Sequence, residues 1–173
     1  MKDAYLSTYE GYYSAEDAGM VDEDGYVFIM GRTDDVINVA GHRLSTGQME
    51  EIVGGYEAVA ECAVIGVDDA LKGELPVAFV ITKAGITMSD SEVQKGVVQR
   101  MRDELGAVGA LKTVLVVQRL PKTRSGKILR KLMRQLSAEK LENAKVPSTI
   151  EDMSCVEEIY NAMKEAKVGQ FSS

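Results

Sequence analysis

Two apolar runs, Val59 to Val67 and Pro76 to Thr82, constrain the fold most, because only the charged stretch DDALKGE separates them. Each has strand length and is too continuous for a half-exposed strand, so each must be buried on at least one face. A third buried strand is expected from Thr113 to Val117. Helix signals surround these runs. Ser45-x-x-Gln48 reads as a capping box opening a helix whose apolar face is Met49, Ile52, Val53 and Tyr56, closed by Gly54-Gly55. Ser89-x-x-Glu92 opens a second helix, with Val93, Val97, Met101 and Leu105 on one face and Gly106 as its stop. From Lys127 to Ser137 the spacing predicts an amphipathic helix with Ile128, Leu129, Leu132, Met133 and Leu136 inside and Arg130, Lys131 and Arg134 outside. Thr149-x-x-Asp152 is read as the cap of a last helix striped by Met153, Val156, Tyr160 and Met163. The expected class is α+β, a small three-stranded sheet covered by helices. An N-terminal β-hairpin, MVDEDGYVFIMG with its turn at Asp24-Gly25, precedes it, and a smaller hairpin is expected over Val36 to Leu44.

At 173 residues the chain can hold one ordinary domain with appendages. Its net charge of −7 argues against a nucleic-acid partner. Yet Lys112 to Ser137 carries eight Lys or Arg and no Asp or Glu, which concentrates positive charge as a local anion site or a basic helix face would. The apolar stripe of that helix is accounted for by packing, so a membrane surface is not required. No apolar run reaches membrane-spanning length, and the first residues lack the apolar core of a signal peptide. Cys62 and Cys155 give no disulfide framework, and a reducing compartment is the simpler reading.

Two stretches carry more charge than turns require. In GRTDDVINVAGHRL, Gly31 to Leu44, Arg32 precedes Asp34 by two residues, and Gly41 is followed by His42 and Arg43. Arginine suits bidentate contact with phosphate or ribose oxygens, and glycine lets backbone approach a ligand closely. The second stretch, PKTRSGK from Pro121 to Lys127, puts Gly126 beside Lys127, with Thr123 and Ser125 able to donate to phosphate or to fix the loop. Ser-Gly-Lys without the upstream glycine of a Walker loop is not a P-loop, so spacing alone leaves an exposed basic loop as the competing reading. His42, the only histidine, is assigned no acid–base role.

Together with DAGMVDEDGY, Asp17 to Tyr26, the runs GRTDDVIN…GHR and LPKTRSGK resemble the adenylate-forming superfamily, specifically the short-chain acyl-CoA synthetases of acetate and propionate type. The resemblance runs from about Gly11 to Gln135 and covers only the C-terminal portion of such an enzyme. It implies three segments: 1–33 as the tail of the large adenylating domain, 34–137 as the C-terminal lid, and 138–173 as a linker and last helix. It implies Lys127 as the catalytic lysine that meets the carboxylate and phosphate oxygens while the acyl-adenylate forms. Asp17 and Arg32 would lie at the ribose of ATP, and Arg43 at its phosphates. Asp34 would be the hinge, Gly41 would line the pantetheine channel, and Arg102 would meet the 3′-phosphate of CoA. ATP, CoA and magnesium carried with ATP are the implied cofactors, and no residue is assigned as a metal ligand. The implied partners are the chain's own adenylating domain and a small carboxylic acid, in the cytoplasm or the mitochondrial matrix. Without that domain the hairpin edge should be unpaired, leaving it disordered or paired in a homodimer. Ala15-Glu16-Asp17 departs from the usual Thr-Gly-Asp, Gln48 from a usual glutamate and Ala107 from a usual proline. Two other readings remain: a non-catalytic CoA-binding or interaction module, and the lid of a carrier-protein adenylation domain. Arg102 separates the latter, since a carrier protein brings no 3′-phosphate.

Overall fold

The computed structural model describes residues 9–13, 15, 17–32, 35–107 and 111–172. The chain divides into two compact units, 1–36 and 37–173. In the first unit, β1 (Asp17–Val21) and β2 (Val27–Arg32) pair antiparallel as a sheet of their own. Gly25, at φ 87°, closes the turn. Its N–H donates to Asp22 O, and the Asp22 carboxylate accepts from Asp24 and Tyr26 N–H. Met20, Val21, Val27, Phe28 and Ile29 are all at least half exposed.

The larger unit is built on β5 (Val59–Asp69) and β6 (Gly73–Thr82), an antiparallel pair in continuous register from Cys62↔Val80 to Asp69↔Gly73. Both strands run further into DDALKGE than hydrophobicity suggests. Asp68 faces Glu74 across the ladder, and the turn tightens onto Asp69, whose carboxylate accepts from Leu71 and Lys72 N–H. β7 (Thr113–Val116) pairs parallel with β6 from Val77 to Val80. At its other end β6 meets β3 (Val36–Val39) at Gly73, and β4 (His42–Ser45) pairs with β3. The sheet therefore has five strands, not three. The small hairpin joins it through backbone bonds such as Ala40 N–H to Lys72 O, which hydrophobicity does not announce. Pro76, lacking an N–H, falls between the β3 contact and the β7 ladder, where its missing donor costs least.

Alternation along these strands feeds two cores. Ala63, Ile65, Val67, Val77, Phe79 and Leu115 face α3 (Arg130–Ala138) and α4 (Ser154–Glu165). Val64, Ala78, Val80 and Val114 face α1 (Thr46–Gly54) and α2 (Asp90–Leu105). Continuous apolar runs are thus required because helices cover both faces. Each fully buried side chain such as Phe79 contributes about 1.5–3 kcal/mol. Ser89 and Glu92 complete the reciprocal capping box at α2, and the Ser89 hydrogen bonds hold the Glu92 carboxyl below its usual range. At α1 the Ser45 hydroxyl accepts from Gln48 N–H.

Three local expectations change. α3 starts at Arg130, because Ile128 bridges back to Lys122 and Leu129 N–H donates to Pro121 O, which keeps 127–129 out of the helix. The last helix is capped by Asp152, which accepts from Ser154 N–H and Oγ; Met153 is left exposed and the buried stripe becomes Cys155, Val156, Ile159 and Met163. The stretch read as a linker, 138–147, is packed: Leu141, Ala144 and Val146 lie against the α3–α4 core.

Candidate functional site

Lys127 stands exposed at the end of a tight hairpin. Thr123 N–H donates to Lys127 O and Gly126 N–H to Thr123 O, each at 2.8 Å, with Gly126 at φ 83°. This is a type I turn followed by a left-handed glycine, the three-residue hairpin in which that position favours glycine. A Cβ on Gly126 would meet nothing within 4 Å, so its requirement is the backbone angle rather than space. Thr123 Oγ1 accepts from Lys127 N–H at 3.1 Å and lies 2.9 Å from Ser125 Oγ. The hydroxyls therefore fix the loop. The stem is tied to the sheet by Lys122, whose ammonium lies 2.7 Å from the Glu61 carboxylate.

Immediately after the loop, Arg130 folds back instead of pointing outward. Its Nε and Nη2 reach the two oxygens of Glu50 at 2.8 and 2.6 Å, and Glu50 also accepts from Val64 N–H at 2.9 Å. One carboxylate on α1 thus joins the edge of β5 to the first residue of α3. Cys62, beside this group, has its thiol pushed up to about 11, first by burial and then by the charge of Glu50.

The β3–β4 turn is Ala40-Gly41, both at positive φ, 49° and 87°. That is the mirror-image turn hairpins prefer, occupied at its first position by a residue that pays for the angle. Gly41 has nothing within 4 Å of a built Cβ, and Arg43 is exposed two residues on. Arg102 is exposed in the last turn of α2 and lines, with Val98, Met101, Gly106, Ala107, Leu111 and Lys112, a concavity of about 200 Å³. A cation there also complements the carbonyl end of the helix, so its position alone does not require a ligand. In the hairpin unit, Asp17 and Arg32 are direct cross-strand partners, which puts the two proposed ribose contacts on one face. Asp34 lies outside the described residues.

The structure thus carries an exposed lysine on a preorganised glycine hairpin, on a mixed sheet with helices on both faces. Residues 48–127 match the family described as the AMP-binding enzyme C-terminal domain. The chain is homologous to the C-terminal domain of the short-chain acyl-CoA synthetases. The acyl-CoA synthetase short-chain family member B, mitochondrial, of Dictyostelium discoideum is 49% identical over 158 residues, 91% of this chain and 23% of that protein. Family member 3, mitochondrial, of Mus musculus is 44% identical over 165 residues, 95% of this chain and 24% of that protein. Among solved structures, ATP-bound MatB from Rhodopseudomonas palustris aligns with a TM-score of 0.59 at 29% identity, over 78% of this chain and 25% of that one. The chain spans about a quarter of the length of the curated relatives it matches.

Reasoning from sequence missed the supports of the lysine loop. Glu50 and Arg130 are eighty residues apart, and only their opposite charges hinted at a pair.

Proposed function

We propose that this domain closes over an adenylating body and inserts Lys127 into a reaction that joins a short carboxylic acid to CoA. The carboxylate would attack ATP to give an acyl-adenylate and pyrophosphate, and the thiol of CoA would then displace AMP. Magnesium would enter with ATP, and its ligands are not among the residues assigned here. The observation that carries the reading is the exposed ammonium on a hairpin whose backbone is already bonded in place. Two anions must meet in the first step, and a preorganised cation offsets charge developing at phosphorus without reorganisation.

In this reading Asp17 accepts the ribose hydroxyls, with Arg32 beside it, and Arg43 meets the phosphates. Asp34 is the hinge, which is supported by the division of the chain between residues 36 and 37, two positions further on. Gly41 lines the path of the thiol arm, and Arg102 meets the 3′-phosphate of CoA, a role supported by Lys112 lining the same concavity. The exposed apolar hairpin is the surface on which the adenylating body sits, or, without it, a second copy of the chain. Segments 1–33, 34–137 and 138–173 serve as tail, lid and lid appendage. The setting is the mitochondrial matrix or the cytoplasm, the names of two relatives supporting a mitochondrial one, and no described helix is long and apolar enough to cross a membrane.

The test joins this chain to the adenylating domain of the Dictyostelium relative and follows the two half-reactions separately. Lys127→Ala is expected to slow acyl-adenylate formation with acetate or propionate about 10²–10³-fold and to leave thioester formation from presynthesised acyl-AMP intact. Undiminished adenylation would overturn the assignment. The chain alone is expected to form no acyl-CoA, since half of each substrate's pocket lies elsewhere.

A further inference from the structure

We infer that residues 149–158, beyond the span matched by the family, are the positioning element of the Lys127 loop. The outer edge of that loop is not free. Thr123 bridges antiparallel to Ile150, Arg124 N–H donates to Thr149 O at 3.0 Å, and Glu151 N–H donates to Lys122 O at 2.9 Å. The stem 122–124 is therefore the middle of three short strands, with 127–128 on one side and 149–151 on the other. Ile150, 7% exposed, anchors the added strand in the α3–α4 core.

The approach to the loop is fastened to the same element. Glu158, on α4, accepts from Gln118 N–H at 2.6 Å. Asp152 accepts from Ser154 with one oxygen and pairs with Arg119 through the other. The Ser154 hydrogen bonds hold its carboxyl below the usual range. From Gln118 to Arg124 the chain leading to the lysine is thus held along its length by residues 149–158. A hairpin of this size is marginal by itself. The third strand and the helix attached to it add to the hydroxyl bonds and the Lys122–Glu61 pair in over-determining its position, and a displacement of about 1 Å can cost two decades in rate.

The brace stands on the hydrogen bonds alone, while its consequence for rate rests on Lys127 acting in adenylation. Glu151→Pro deletes the one side-chain-independent donor that 149–151 gives the stem, and Glu151→Ala keeps it. On the chain itself, amide exchange at Thr123 and Gly126, and tryptic cleavage after Arg124 and Lys127, should rise about tenfold in the proline variant and stay unchanged in the alanine variant. Amides of β5 and β6 report that the fold is intact. Proline also perturbs the entry to α4, so Glu158→Ala and Glu158→Gln are read alongside. The first should loosen the loop, and the second, which keeps an acceptor for Gln118, should restore it. In the fusion with the relative's adenylating domain, Glu151→Pro should slow acyl-adenylate formation about tenfold to a hundredfold and leave thioester formation from acyl-AMP unchanged. Unchanged exchange at Thr123 and Gly126 would overturn the brace. A loosened loop with undiminished adenylation, in a fusion that Lys127→Ala disables, would overturn its role in catalysis. If Lys127→Ala has no effect while exchange rises as expected, the brace holds and the reading of Lys127 is what fails.

Discussion

Replacing Glu50 by alanine should unfold the larger unit more easily than its partial exposure suggests. The Glu50 and Arg130 side chains are 16% and 23% exposed, and the carboxylate serves three donors: Arg130 Nε, Arg130 Nη2 and Val64 N–H. Removing one partner of a fully buried pair costs about 3–5 kcal/mol, because the other charge loses its compensation. Residual water access brings that down to about 2 kcal/mol, and the unpaired Val64 N–H adds about 1 kcal/mol. The sum, about 3 kcal/mol, corresponds to a fall of roughly 1.5–2 M in the urea midpoint at ordinary slopes. The assay is equilibrium urea unfolding of wild type, Glu50→Ala, Arg130→Ala and the double variant. Since both single changes break the same pair, the double variant should recover about 2 kcal/mol of their summed cost. A second readout is chemical: without the neighbouring carboxylate, the Cys62 pKa should fall from about 11 and the thiol should alkylate faster in still-folded protein. A cost below about 1 kcal/mol, or simple additivity in the cycle, would refute this account of the pair.

Two further outcomes follow from packing and titration. Gly96 sits inside α2, yet its replacement by alanine should destabilise by about 1–3 kcal/mol despite a helix-propensity gain of about 1 kcal/mol; the new Cβ would collide with Oη and Cζ of Tyr56, and combining it with Tyr56→Leu should relieve the loss in a thermal melt. Cys62 binds its proton more tightly when folded, at about 11 against an ordinary 9.0. Its contribution is complete below pH 9 and lost as the pH rises through the folded value, so the stability difference between wild type and Cys62→Ala should shrink between pH 8 and pH 11.5, and a constant difference would contradict the burial argument.

What was legible in the chain followed local rules. Ser89 and Glu92 announced a capping box that forms in full, and Asp24-Gly25 announced a turn, because both depend on residues within four positions of each other. The runs around Val64 and Phe79 announced burial on at least one face, and the structure covers both. What was hidden depended on backbone groups or on distance. The stretch Thr149 to Asp152 reads as a helix cap, but Thr149 O and Glu151 N–H pair with the lysine stem whatever the side chains are. Arg130 read as an outward cation, since nothing local points to a carboxylate on α1. The C-terminal helix stripe was displaced because Asp152 serves as a cap from which the helix begins two residues later.

These hidden contacts bear on how the lysine would travel. The loop is bonded on one side by 127–128, on the other by 149–151, and at its base by Lys122 with Glu61. Each backbone bond lost would cost about 1 kcal/mol net, so moving the ammonium by reshaping the loop means breaking several at once. The division between the two compact units falls between residues 36 and 37. Motion assigned to a few residues near that point costs none of the loop's bonds, as expected where hinges absorb the change in backbone angles. A stiff tip and a yielding connection would then be complementary requirements of the proposed function: the ammonium would stay preorganised because the swing would take place elsewhere.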